Sequence, residues 1–215
     1  MVFPSLSLLI DPEPRGAAWN MAADEVLAQR THVPLLRAYR WKTPSVSFGY
    51  FGVFHEITAR WPDREPVRRW TGGGEVPHGD DFTYSLAIPR SDAFAQLSVR
   101  ESYQAIHEAL VPCLPGASLA TSDAAQNPSC FARPVIADVL VDGRKVAGAA
   151  QRRGRFGLLH QGSVQGTALP HDLARQFASS LASVVTEITY DTALLDDIDH
   201  LSATRYGTEQ WLQRR

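Results

Sequence analysis

Two strand-like runs joined by Asp142-Gly143 constrain this chain more than any other feature. Val135–Val141 and Arg144–Gln151 flank that dipeptide. An Asp-Gly pair between such runs favours a tight two-residue turn whose positive φ angles match the twist of paired strands. Arg152–Arg155 then predicts a second turn and Phe156–Val164 a third strand, so antiparallel strands follow one another directly. Upstream, Ser5–Ile10, Pro34–Trp41, Ser45–Tyr50, Pro66–Trp70 and Phe82–Ile88 also read as strands. Ala17–Arg30, Leu97–Leu114 and His171–Val185 carry apolar residues at helical spacing, and the tail reads as two short helices. Ala117–Ala132 is small and polar and reads as a loop. Strands thus come in hairpin groups, with helices between the groups. That order predicts an α+β fold with a mixed, largely antiparallel sheet flanked by helices, not a doubly wound parallel one.

With 215 residues and no repeat or long Pro/Gly-rich linker, the chain is expected to be a single domain over 1–215, without an accessory C-terminal domain. A domain of this size buries about 70% of its unfolded surface and needs no staple. Its 21 Lys+Arg against 23 Asp+Glu leave a net charge of −2, without the basic excess of a protein that grips nucleic acid. Cys113 and Cys130 are too few for a disulfide framework, and no apolar run suggests a leader or a membrane span. The expectation is a cytoplasmic protein with no membrane and no nucleic-acid partner. Of the 21 basic residues only Lys42 and Lys145 are lysines. Base composition accounts for such a bias, yet each remaining Lys is a place where Arg could fail to serve.

The familiar short signatures are missing: no P-loop, no dinucleotide fingerprint, no zincin His pair, no C-x-x-C and no G-x-S-x-G. No metal site is expected. Four motifs remain. Arg68-Arg69-Trp70-Thr71-Gly72-Gly73-Gly74 ends in Glu75-Val76-Pro77-His78. Three glycines let backbone N–H groups approach an anionic or extended ligand, and Arg69 could grip a phosphate or carboxylate; the alternative is a plain glycine turn. In the hairpin, Lys145 precedes the small run Ala147-Gly148-Ala149-Ala150, a floor on which a ligand could lie with the ammonium at a carbonyl or phosphate oxygen. The alternative is a surface lysine. His160-Gln161-Gly162-Ser163 follows on the next strand, where His160 could share a face with Lys145 or be merely structural. Cys130 precedes Phe131 in the polar loop, and a neighbouring cation would activate its thiol; otherwise it is inert.

In order and spacing these blocks resemble the catalytic domain shared by lipoate–protein ligases, octanoyltransferases and biotin–protein ligases. Asn20-Met21-Ala22-Ala23-Asp24 is similar to the N-terminal helix signature, and Ser45–Gly49 to the strand after it. Arg68–His78 with Tyr84-Ser85, Asp142–Gln151 with Arg144 in place of a Lys, and His160-Gln161-Gly162 match the later blocks. The biotin branch's G-R-G-R is missing. The resemblance implies a fold related to class II aminoacyl-tRNA synthetases. It implies transfer of an octanoyl or lipoyl group onto a lysine of lipoyl domains, in 2-oxoacid dehydrogenase complexes or glycine cleavage H protein. Lys145 then takes the position of the lysine at the acyl carbonyl. Gly72, Gly73, Gly74, Arg69, His78, Gly148, Ala149, His160 and Gly162 take substrate-binding positions. Two routes are open. Octanoyltransferases draw on acyl carrier protein through a cysteine thioester, without a cofactor, and one branch keeps its nucleophile in a Cys-Phe where Cys130-Phe131 stands. Ligases form an acyl-adenylate with ATP and Mg²⁺. The Cys-Phe and the lack of an Arg-Asn-Asp stretch favour the first route; a non-catalytic module that only binds lipoyl domains is the third reading.

Overall fold

The strand-rich centre around Asp142-Gly143 is present in the computed structural model, which describes residues 1–121 and 135–214. In chain order the elements are β1 (Phe3–Ile10), α1 (Ala17–Arg30), β2 (Leu35–Tyr39), β3 (Ser45–Phe48), α2 (Phe54–Arg60), β4 (Glu65–Arg68), β5 (Glu75–His78), β6 (Phe82–Pro89) and α3 (Val99–Leu110). They continue with β7 (Ala117–Leu119), β8 (Val139–Val141), β9 (Arg144–Gly154), β10 (Gly157–Val164), α4 (Leu173–Leu181), β11 (Ala182–Ile188), α5 (Thr192–Leu201) and α6 (Glu209–Leu212). Among the described residues two sheets form, one of eight strands in the order β11-β1-β2-β6-β10-β9-β8-β7 and one of three in the order β4-β3-β5. β1 runs parallel to β11 and β2, whereas β2, β6, β10, β9 and β8 pair antiparallel in succession. The mixed, largely antiparallel sheet flanked by helices is therefore present. Asp142 and Gly143 have φ of 49° and 73°, the left-handed pair that a two-residue hairpin needs.

Several local expectations need correction. Only Leu173–Leu181 of His171–Val185 is helical; Ala182–Ile188 is the strand β11, with Phe3 opposite Ala182 and Leu9 opposite Ile188. The β-branched Val184, Val185 and Ile188 suit a sheet, and pairing with β1 overrides the helical spacing. Ala117–Leu119, at the head of the expected loop, pairs with β8 as a sheet edge. β9 runs through the expected Arg152–Arg155 turn as far as Gly154, because its partner β10 extends to Gly157. The small sheet also recruits Glu75–His78 from the glycine block, and α2 forms within the stretch between β3 and β4. Ser98 caps the start of α3 and with Glu101 makes a reciprocal capping box, so Leu97 stays outside the helix.

The main sheet buries both faces. One packs on α3 and α4 through Leu6, Leu8, Leu36, Tyr84, Leu86, Leu158, Ile106, Leu110 and Phe177. The other packs on α1, and there a charge sits in the interior. Arg37 of β2 is fully buried and donates to Asp11 Oδ2 at 2.6 Å, Asp24 Oδ1 at 2.8 Å and Asn20 Oδ1 at 2.8 Å. Asp24 also accepts from Ser85 at 2.6 Å, Gln161 at 2.7 Å and Tyr39 at 3.0 Å. Asn20 and Asp24 are one helical turn apart, which brings both onto the face of α1 that meets the sheet. Burial opposes the Arg37 charge, but Asp11 and Asp24 outweigh it and hold the guanidinium pKa well above its ordinary value.

Removing one member of a buried ion network leaves the others charged and unpaired, at a cost of about 3–5 kcal/mol. Arg37→Met is expected to lose that much unfolding free energy in urea titration. A loss below about 1 kcal/mol would show that Asp11 and Asp24 do not depend on it.

Candidate active site

Between the α1 face of the large sheet and the three-stranded sheet lies a cavity of about 90 Å³, open on one side. Its floor is β9 and β10: Gly148, Ala149, Ala150, Gln161, Gly162 and Ser163. Its roof is the glycine block and β5: Arg69, Gly73, Gly74, Glu75, Val76 and His78. Met21, Tyr39, Trp41 and Ser47 close the sides. Ala150 and Gln161 are register partners, as are Gly148 and Ser163, so these small residues form one floor across two strands. Gly72 lines a shallow shelf just outside, which shares Gly73, Ala149 and Ala150 with the cavity.

The glycine block is held open by specific contacts. A Cβ on Gly49 would lie 2.0 Å from the Gly73 carbonyl oxygen, so only glycine at 49 lets the loop pass. Gly73 itself has φ of +84°. Arg69 donates through Nη2 to the carbonyls of Gly72 at 3.0 Å and Gly74 at 2.7 Å, and through Nη1 to Ser47 Oγ at 2.8 Å. Arg69 thus lines the cavity, and its described contacts shape the glycine loop. The relay continues inward. The Ser47 hydroxyl donates to His78 Nε2 at 2.6 Å, and His78 Nδ1–H donates to Asp81 Oδ2 at 2.8 Å. This tautomer follows from the network, since the ionised Asp81 carboxylate only accepts and so places the proton of the neutral ring on Nδ1. Burial pushes the His78 pKa down. Burial works against the Asp81 charge too, but hydrogen bonds from His78, Thr83 and the Gly79 N–H pull its carboxyl down to about 2. Trp41 stacks on the His78 ring at 4.0 Å and donates to Thr83, fixing the ring plane.

Lys145 reaches the cavity from the edge of β9. β8 pairs with β9 only as far as Ala147, with a register shift between Val139 and Leu140. Beyond that point the edge is taken over by side chains. Tyr103 of α3 accepts from the Ala149 N–H at 3.0 Å and donates to Asp138 Oδ1 at 2.5 Å. Asp138 Oδ2 accepts from the Val135 N–H at 2.7 Å and from Lys145 Nζ at 2.8 Å. Asp138 is fully buried and the Lys145 side chain is 10% exposed. The lysine lies across Gly148, where a Cβ would come within 2.6 Å of Lys145 Cε. Gly148 therefore makes room for the lysine as well as for a ligand. Asp138 in turn follows Ala137, whose φ of 69° is held by its N–H to Ala120 and by His107 Nδ1–H to its carbonyl at 2.6 Å.

Asp138, Tyr103 and His107 escape the motif search. The available signal is one acid inside the apolar run Val135–Val141; Tyr103 and His107 look like helix-face residues until β9 is beside them. His160 needs correction. On β10, Gln161 and Ser163 face the cavity, whereas His160 points through the sheet into the α3 face, among Tyr84, Tyr103 and His107. It does not share the cavity face with Lys145, whose own side chain arrives around the strand edge. Gly162 contributes backbone to the cavity, and its missing Cβ makes room for the Tyr84 ring on the other side. Cys130 lies outside the described residues. Cys113 is buried in the turn after α3, its thiol pushed up to about 11 by burial, which makes it a poor nucleophile.

The model of the lipoyl protein ligase A/B catalytic domain matches residues 16–189. An octanoyltransferase LipM from Oceanobacillus iheyensis is 34% identical over 170 residues, covering 72% of this chain and 62% of that protein's length. One from an Exiguobacterium species is 31% identical over 225 residues, covering 93% of this chain and 74% of its own. Among solved structures, lipoate-protein ligase A bound with ATP superposes with a TM-score of 0.73 at 21% identity, covering 99% of both chains. The fold is thus the one that ligase adopts.

Burial drives the His107 pKa down to about 4 from an ordinary 6.5. Between those values the unfolded chain binds the proton and the folded one does not. The contribution of His107 is full above pH 6.5 and falls by about 1.4 kcal/mol per pH unit until about pH 4. His107→Asn, which keeps a donor for the Ala137 carbonyl, is expected to flatten that part of the urea-midpoint profile. Superimposable profiles would refute the buried neutral imidazole.

Proposed function

The chain belongs to the lipoyl protein ligase A/B catalytic-domain family, and from that premise we propose that it moves an octanoyl or lipoyl group onto a lysine of a lipoyl domain. The observation that carries this reading is the Lys145 ammonium, pinned by buried Asp138 across Gly148 at the edge of the cavity beneath the glycine loop. The names of the relatives support octanoyl over lipoyl. An acyl chain would lie on the Gly148–Ala150 floor beneath the glycine loop, with its carbonyl at Lys145. Charge that develops on the carbonyl oxygen during acyl transfer would meet an ammonium already in place. Asp138 fixes that ammonium, and Tyr103 fixes Asp138.

The thioester route begins with Cys130, five residues before Val135, which lines the shelf outside the cavity. Its thiolate attacks the donor's thioester carbonyl, and the carrier thiol departs with the proton. The acceptor lysine, as free amine, then attacks the Cys130 thioester; an amide forms and the thiol is regenerated. The donor is already activated, so this route consumes no nucleotide. The acceptor is a lipoyl domain, in a 2-oxoacid dehydrogenase complex or glycine cleavage H protein, and acyl carrier protein is the donor. The family's other route would form an acyl-adenylate from ATP.

Incubation with octanoyl–acyl carrier protein is expected to leave an adduct on the wild type that neutral hydroxylamine removes, and none on Cys130→Ser. An equal adduct on Cys130→Ser, or lipoate-dependent pyrophosphate exchange that Cys130→Ala retains, would overturn the thioester route. Lys145→Ala is expected to lower transfer to a lipoyl domain by about 10²–10³-fold, read as a mass shift. Lys145→Arg fails as well, because a planar guanidinium does not fit across Gly148. The Lys145→Ala/Asp138→Asn double variant, which leaves no buried lone carboxylate, stays as slow, separating chemistry from stability. The exposed Lys42→Arg retains activity.

A further inference from the structure

The charge of this chain is unevenly spread. Against a net of −2 overall, one groove gathers Arg152, Arg153, Arg155, Arg205 and Arg214. Three of these have partners in the fold: Arg153 donates to the Ala95 carbonyl at 2.8 Å and to Ser102 at 2.6 Å, Arg205 pairs with Glu25 at 2.6 Å, and Arg152 donates to the Trp70 carbonyl at 3.0 Å. Arg155 and Arg214 are exposed, and aromatic rings lie beside Arg152 and Arg214. Arg152 lies 4.4 Å over Trp70 and 5.2 Å over Tyr50, and Arg214 lies 4.3 Å over Tyr50. Arg155 is exposed at the β9–β10 turn, and Phe51, packed edge-on against Tyr50, is 86% exposed. Arginine and large aromatics standing together at a surface are the composition of a protein interface centre.

The groove adjoins the shelf that leads to the cavity. Arg153 lines both it and the shelf, and the shelf shares Gly73, Ala149 and Ala150 with the cavity. Along β9 the step from Gly148, beneath the Lys145 ammonium, to Arg152 is about 13 Å at ordinary strand rise. That interval discriminates between the two partners of an acyl transfer. An acceptor must bring its backbone within the four-carbon stem of a lysine from the carbonyl, so it needs the shelf itself. A donor that holds its thioester on a long arm can dock farther out.

We propose that this arginine–aromatic groove docks the acyl donor, an acidic carrier domain that presents its thioester on a phosphodiester-linked arm running along the shelf to Lys145. The assignment rests on the thioester reading above. Arg152, Arg155 and Arg214 face the carrier's acidic surface and the arm's phosphate, and Phe51 supplies apolar contact.

The test compares wild type with Arg155→Glu/Arg214→Glu, and with Arg175→Glu on α4 as a charge control. Octanoyl transfer to a lipoyl domain is followed by mass with octanoyl–acyl carrier protein and, separately, with octanoyl-pantetheine, which lacks the phosphate and the domain. For the double variant the carrier KM is expected to rise about tenfold or more, with kcat little changed and a flatter salt dependence. Its octanoyl-pantetheine kinetics, and both donors with Arg175→Glu, stay within about twofold. An unchanged carrier KM, an equal loss with octanoyl-pantetheine, or a rise confined to the acceptor's KM would overturn the proposal. Binding of the holo-carrier without acyl group, measured by fluorescence anisotropy, is expected for wild type and lost in the double variant. Equal binding, or none to wild type, refutes the docking site. If no donor acylates the wild type but holo-carrier binding follows the arginines, the transferase reading fails and the groove stands.

Discussion

The buried Arg37 guanidinium organises the α1 side of the molecule. It joins β2 to the turn after β1 through Asp11 and to α1 through Asn20 and Asp24. Such an arrangement survives only when every lone pair and donor is used, and Asp24 meets that condition with four partners on three strands. One of them, Gln161, leads out of the core: its amide donates to Asp24 and its carbonyl accepts from Thr71 at 2.7 Å. Two side chains therefore connect the central charge to the residue that opens the glycine block. The cavity floor and its roof are referenced to the same buried arginine.

The cavity is polar along part of its wall, and six of those polar side chains satisfy one another. Arg69, Ser47, His78, Asp81, Thr83 and Ser163 donate to and accept from one another. Groups already paired cost little to cover with an apolar chain, whereas unpaired ones would cost their desolvation. A wall of this kind can hold a hydrocarbon while its contacts to Gly72 and Gly74 keep the roof in place. Lys145 stands apart at the strand edge, where β8 stops short and Tyr103 takes over the role of a pairing strand. The opposite sheet face supplies this anchor, because α3 carries both Tyr103 and His107. The α3 side thereby positions the ammonium, and the α1 side shapes the cavity.

Local signals were legible where the chemistry is local. Asp142-Gly143 demanded left-handed backbone and its hairpin formed there. Ser98 and Glu101 mark the start of α3, and the Asn20–Asp24 spacing places two polar groups on one helix face. The scarcity of lysine, with a small-residue run after Lys145, pointed to a lysine lying on a bare floor, and Gly148 leaves that space. The glycine block predicted close approach of a ligand to the backbone; what the fold itself shows there is Gly49 passing close to Gly73.

What only the tertiary structure decided depends on which strands are neighbours and on which edge ends first. His160 and Gln161 are consecutive, and strand alternation sends one to each face; the hydrophobic pattern does not say which face holds the cavity, since both are buried. Asp138 becomes a partner for Lys145 only because β8 is three residues long and α3 passes over the gap. Ala182–Ile188 has spacing that serves helix or strand, and the open edge of β1 settles it. The arginines that face one groove come from a hairpin turn and a distant C-terminal segment, so the net charge of −2 conceals them until the fold brings them together. Turns, caps and bare floors are dictated by the residues that make them; faces, edges and pairings are set by the chain that packs against them.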